Sequence, residues 1–235
     1  MTPYPLSKRI VAEALGTGYL VVAIVGSGIM GEHLAAGNVA IALLANTIAT
    51  GAALVALILT FGPISGAHLN PAVTLAVGLR RMMPWKEVPA YIGAQFVGGA
   101  LGSPLAHVMF GQALFSLAHR QRAGIPQLVS EFVAAFGLLL VIWGCSQASS
   151  VLTVAVAVAS YITAAYWFTA STSFANPAVT MARSITDTFA GIRLVDVPGF
   201  IVAQTAGALT ATWLFGWLIP DGAAPSFRSW KAVGG

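Results

Sequence analysis

Two stretches carry the residues best suited to act on a solute: Asn70-Pro-Ala-Val-Thr74 and its letter-for-letter copy Asn176-Pro-Ala-Val-Thr180. Asparagine is a favoured N-cap, and proline suits the first helical position because its missing N–H is not needed there and its φ is preset. Pro71 and Pro177 should therefore each open a helix, with Ala72 and Ala178 small enough to let the two turns approach. A helix start carries the positive end of a dipole, about half an elementary charge. Two such ends facing one another repel cations and hydronium and leave neutral molecules little affected. The amides of Asn70 and Asn176 can then donate to the oxygen of a passing water or hydroxylated solute. This is the chemistry of selective passage. One Asn-Pro-Ala by itself would mark only a capped helix, so the weight rests on the pair.

Bond-making chemistry has no comparable foothold. His33, His68, His107 and His119 lack metal-ligand spacing, and no Ser/His/Asp or Cys/His set emerges, so neither an enzyme nor a metal or cofactor is expected. The single cysteine, Cys145, lies in an apolar run and suits a small buried hydrophobe.

The elements that must position the motifs are membrane helices. Of 235 residues, 57% are hydrophobic and 8% charged, with a mean hydropathy of +0.84. Soluble domains carry about 25% charged residues. The net charge of +4 does not form a nucleic-acid stripe, because the basic residues cluster at the ends of apolar runs. Spanning the bilayer core takes about 20 apolar residues. Six stretches qualify: 10–30, 39–61, 86–110, 128–147, 151–170 and 197–219. The segments 70–80 and 176–184, opened by the two motifs, are too short and are expected as half-spans. Lys8, Arg9, Arg80, Arg81, Lys86, Arg228 and Lys231 on one side, against Arg120, Arg122, Arg193 and Arg183, favour cytoplasmic termini. Trp85, Trp167, Trp213 and Trp217 fall near span ends, where tryptophan anchors helices.

The chain also repeats itself. The run Arg9-Ile-Val-Ala-Glu13 matches Gln127-Leu-Val-Ser-Glu131, and Tyr91-Ile-Gly-Ala-Gln95-Phe-Val-Gly98 matches Phe200-Ile-Val-Ala-Gln204-Thr-Ala-Gly207. With the motifs these give two copies, about 1–118 and 125–235, within one domain spanning 1–235. Three crossings per copy is odd, so the copies are inverted across the membrane and their site lies near its midplane.

Together, Ser65-Gly-Ala-His-Leu-Asn-Pro-Ala-Val73 and Phe174-Ala-Asn-Pro-Ala-Val179 resemble the paired signature of the aquaporin and aquaglyceroporin (major intrinsic protein) family. The resemblance implies an all-α fold of six membrane helices plus two re-entrant half-helices, and a homotetramer with one pore per subunit. It implies carbonyls of Gly66, Ala67 and His68, and of Ser171, Thr172 and Ser173, lining the pore. Glu13 and Glu131 resemble the family's buried carboxylates that hold the re-entrant loops. The alternative, that they carry protons in an ion-coupled transporter, stays open. Gln95 and Gln204 fit interhelical hydrogen bonding, and His68 fits a satisfied loop histidine near the inner vestibule.

Carried over by spacing, the family's outer constriction falls on Thr50, Ala164, Ser173 and Val179, where Val179 replaces the usual arginine. Arg183 is one helical turn further along, a weak substitute that could instead pair with Asp187. The ring should be wide and uncharged, unless Tyr166, Trp167, Phe168 or Phe174 refill it. Val179 and the run Thr180-Met-Ala-Arg-Ser-Ile-Thr-Asp-Thr-Phe-Ala-Gly-Ile192 are similar to a bacterial branch, the AqpS type, associated with arsenic resistance. The implied cargo is small neutral solutes in a bacterial inner membrane, led by arsenous acid with its possible methylated relatives. A general water, glycerol and urea facilitator is the alternative.

Overall fold

A computed structural model describes residues 4–146 and 150–219. Arg228 and Lys231, counted above for orientation, lie outside them. Eight α-helices follow in order: α1 (Leu6–Leu34), α2 (Val39–Ser65), α3 (Pro71–Leu79), α4 (Val88–Met109), α5 (Ile125–Cys145), α6 (Val151–Phe168), α7 (Pro177–Ala182) and α8 (Val197–Leu218). The protein is an all-helical membrane protein with two re-entrant half-helices, α3 and α7. Among the described residues, five helical stretches are long and apolar enough to cross a membrane: α1, α2, α5, α6 and the stretch containing α8. The sixth crossing, α4, has 22 residues and rises about 33 Å, a full core thickness. Its mixed composition follows from its place in the fold, where Gln95, Ser103 and His107 are buried against neighbouring elements rather than lipid.

The two halves pack alike. Helix α1 lies against α4 and α2, α5 lies against α8 and α6, and α2 meets α6 across the middle. Glycine permits the closest crossings. A Cβ on Gly98 would overlap the Ala14 carbonyl, and one on Gly207 would overlap the Phe132 carbonyl. Close backbone contact through small residues is how helices associate when lipid offers no hydrophobic drive. The outward-facing surface carries exposed leucine and valine side chains together with Trp85, Trp167, Trp213 and Trp217.

Both half-helices are shorter than the sequence predicts, 71–79 and 177–182, and a 3-10 turn (Arg183–Ile185) follows the second. Helix α2 is longer, running to Ser65 and stopping only where Gly66 takes a φ of 94°, the left-handed cap glycine adopts readily. Cys145 is half-buried at the end of α5 rather than fully buried.

Candidate functional site

Each half-helix is opened by its motif asparagine. Asn70 Oδ1 accepts from the Ala72 N–H at 2.9 Å, and Asn176 Oδ1 accepts from Ala178 at 3.0 Å and Val179 at 3.3 Å. The same side chains tie the loops together, Asn70 Nδ2 donating to the Ala175 carbonyl at 2.8 Å and Asn176 Nδ2 to the Leu69 carbonyl at 2.7 Å. Each amide has two N–H donors, so these contacts leave one on each uncommitted. The two helix starts therefore meet tip to tip.

The loops leading to these tips adopt left-handed backbone at non-glycine positions: Ala67 and Leu69 in the first, Thr172, Ser173 and Ala175 in the second. Such residues cost about 1–3 kcal/mol each and persist only where the surroundings fix them. Two carboxylates do the fixing. Glu13, fully buried, accepts from Ser65 Oγ (2.6 Å), His68 N–H (3.0 Å), Leu69 N–H (2.7 Å) and Gln95 Nε2 (2.7 Å). Glu131, equally buried, accepts from Phe174 N–H and Ala175 N–H, both at 2.9 Å, and from Gln204 Nε2. Gln95 and Gln204 each donate also to the motif threonine, Thr74 or Thr180, at 2.8 Å. Charge-assisted bonds of this kind are the strong ones, and their saturation fits a holding role.

A cavity of about 240 Å³ runs past both motif asparagines. Its wall is mostly apolar: Leu20, Ile24, Leu54, Ile58, Leu138 and Val158 among others. Gly66, Ala67 and His68 border it in the first loop. Ser173 borders it in the second loop, but Ser171 and Thr172 do not. The Ser171 carbonyl is taken instead by Arg122 Nη1 at 2.9 Å.

At the cavity end nearer the N-terminus, Arg9 Nη1 donates to Glu87 Oε2 at 2.8 Å, and the Tyr91 hydroxyl donates to the Ser65 carbonyl at 3.0 Å. His68 lies against Tyr91, ring centroids 5.3 Å apart, with Nδ1 3.1 Å from Thr74 Oγ1. Arg9, Glu87 and Tyr91 all border the cavity. The sequence reading placed Arg9 among flanking charges and missed this role. The available signal was its position one turn before Glu13, on the same helical face.

At the opposite end, Thr50, Ser173 and Val179 border the cavity, but Ala164 does not. The buried face of α6 is Ala155, Val158, Ala159, Ile162, Ala165 and Tyr166, spaced as one stripe of a helix. Ala164 falls outside that stripe and is exposed. Tyr166 takes its place, 2% exposed, with its hydroxyl 3.3 Å from Thr50 Oγ1. Of the aromatic candidates, Tyr166 and Phe174 reach the cavity, whereas Trp167 and Phe168 are 49% and 55% exposed on the outside. Arg183 borders it too, 2% exposed, its Cζ 3.4 Å above the Phe174 ring centroid. Arg183 was expected to be too distant. Helical side chains lean toward the N-terminus, so its long stem brings the guanidinium back to the loop before the motif. It does not pair with Asp187, as first expected. Asp187 accepts instead from His119 N–H at 3.0 Å and lies 2.9 Å from His119 Nδ1. The backbone and then the side-chain bond from His119 hold the Asp187 carboxyl below its usual value. Among the described residues, no three His, Cys, Asp or Glu side chains gather to hold a metal.

Comparison with known proteins agrees with this geometry. The Major intrinsic protein family profile matches residues 1–150. The chain is 51% identical over 219 residues to Aquaglyceroporin AqpS of Rhizobium meliloti (strain 1021), covering 93% of each. It is 33% identical over 244 residues to the Probable aquaporin AqpM of Archaeoglobus fulgidus, covering 92% of this chain and 98% of that one. The fold is similar to the X-ray structure of the aquaglyceroporin from Plasmodium falciparum, with a TM-score of 0.68 at 19% identity, covering 92% and 98% of the two chains.

Proposed function

The chain belongs to the major intrinsic protein family, and from that premise we propose that it is a passive channel for small neutral hydroxylated solutes, with arsenous acid leading. The observation that carries the reading is a cavity bordered by both motif asparagines, mostly apolar along its length and polar at those asparagines and both mouths. A solute there can trade water for Asn amides, loop carbonyls and hydroxyls without crossing a charge at the midplane. Arsenous acid is neutral near pH 7, carries three hydroxyls on a pyramidal centre, and matches glycerol in size. Thr50 and Ser173 offer it hydroxyls, and Val179 offers an apolar wall in place of a fixed charge.

A second reading, a glycerol and urea facilitator, is favoured by the outer end. Tyr166 and Phe174 give two aromatic surfaces for a carbon backbone, and Arg183 a donor for hydroxyls. Stopped-flow light scattering on proteoliposomes with water, glycerol, urea and arsenous acid separates the readings. Arsenous acid flux no greater than in empty vesicles, alongside normal water flux, rejects the metalloid assignment. Glycerol flux exceeding that of arsenous acid selects the second reading. The inverted-repeat organisation, the pore roles assigned to these residues and a homotetramer with one pore per subunit belong to the same proposal. So does a bacterial inner-membrane location with both termini inside. The outward-facing apolar side chains support it, because lipid or neighbouring subunits must cover them.

A further inference from the structure

The guanidinium missing from position 179 has a replacement, reached from a different residue. Val179 and Arg183 stand four apart, on one face of the half-helix and the turn that extends it. Arg183 lies flat on Phe174 and is pinned through Nε to the Ala190 carbonyl. Its Nη1, however, is buried and has no partner, and neither has the buried Ser173 Oγ. Buried donors without partners are rare in native proteins and call for an explanation. Here both lie on residues bordering the same end of one cavity, either side of Phe174 in the loop and its half-helix. The neighbouring arginine makes the contrast. Arg122 also sits over the Phe174 ring, at 4.8 Å, but its Nε and Nη1 are committed to the carbonyls of Gly191 and Ser171, both at 2.9 Å, and it does not border the cavity. One guanidinium is structural and the other is left with valence to spend.

We propose that Arg183 is the specificity-determining donor of the outer constriction. Its free Nη1 and Ser173 Oγ together take up the hydroxyl of a neutral solute while Phe174 supports the apolar side. Val179 then does not leave the constriction uncharged; it moves the positive charge outward and leaves an apolar step beneath it. The inference rests on the passive-channel reading and deepens it. A charge-assisted bond made to solute hydroxyls and replaceable by water should show in a ratio of fluxes rather than in water flux alone.

The test is Arg183→Met in proteoliposomes, reading glycerol-to-water and urea-to-water flux ratios together with potassium leak. The glycerol ratio should fall about tenfold, as expected for loss of one charge-assisted bond, with water flux retained and potassium leak raised. Ser173→Ala should lower the same ratio about threefold. A glycerol ratio within twofold of the unmodified channel in Arg183→Met overturns the proposal. If that variant does not insert, Phe174→Leu, which removes the ring under the guanidinium, is read the same way and against the same threshold. If the unmodified channel passes neither glycerol, urea nor arsenous acid, the passive-solute reading fails by itself. The potassium leak of Arg183→Met then still decides whether Arg183 guards the outer end: a raised leak supports that and an unchanged one overturns it.

Discussion

The two re-entrant loops are built to one plan and finished differently. Residue for residue, Ser65 to Asn70 corresponds to Ser171 to Asn176, each held by a buried glutamate and a glutamine-threonine brace. Even the ring pair is kept: His68 on Tyr91 at 5.3 Å, Phe174 on Phe200 at 5.2 Å. What changes is the residue presented to the cavity. The inner loop offers an imidazole bonded to Thr74, beside the Arg9–Glu87 pair. The outer loop offers a phenyl ring beneath a guanidinium with an unbonded nitrogen. Val77 occupies in the first half-helix the position that Arg183 occupies relative to the second motif. The lesson is that backbone support is duplicated, because both loops face the same problem of irregular backbone at membrane depth. The side chains presented to the cavity, by contrast, differ between its two ends.

The largest effects should come from attacking the shared support. Glu13→Ala strands two loop N–H groups, Ser65 Oγ and Gln95, and Glu131→Ala strands two N–H groups and Gln204. At about 1–3 kcal/mol per stranded buried group, both variants should lose most folded protein, and Glu13→Ala more of it. Fluorescence-detected size exclusion in detergent measures this. Equal losses would mean that Ser65 contributes nothing and the loops are energetically alike.

Asn70→Ala and Asn176→Ala each remove one cap and one cross-loop bond, about 2 kcal/mol by typical values. Their thermal unfolding shifts should match, and water flux should fall severalfold in both. A larger shift for Asn176→Ala would show that its second, 3.3 Å cap bond to the Val179 N–H contributes.

Breaking the inner pair should be milder. Arg9 and Glu87 side chains are 15% and 13% exposed, and Glu87→Gln should cost about 1 kcal/mol. It should alter water flux no more than about twofold and leave the glycerol-to-water ratio unchanged. A changed ratio would put discrimination at both ends.

The smallest effect belongs to Asp187. Its carboxyl is held low by His119, so its contribution is present above the unfolded carboxylate pKa and is lost as pH falls through the folded value. Asp187→Asn should therefore match the unmodified protein in flux at every pH. Its thermal stability should differ at neutral pH and converge once the pH falls below the lowered Asp187 value, the difference being slight because the pair is exposed.

Much of this was legible in the chain. Paired Asn-Pro-Ala motifs, the glutamate opening each copy and the glutamine before Gly98 and Gly207 stand in fixed order. Local capping rules and the bilayer's length requirement turn that order into half-helices and spans. The outer constriction was only partly legible. Thr50, Ser173 and Val179 border the cavity, whereas the spacing carried over to α6 points to Ala164 and it is Tyr166 that borders it. A count through the irregular segment 169–173 does not carry helical phase, and it is the packing of α6 that rotates Tyr166 inward.

The sequence by itself determined an inverted pair of capped half-helices among membrane spans, because caps, prolines and apolar length act locally. Tertiary structure alone decided which side chains border the cavity. Arg9 reaches Glu87 across 78 positions, and Arg183 folds back onto Phe174. Both depend on the reach and direction of long side chains once the helices are packed, and helical spacing gives only the face from which each side chain starts.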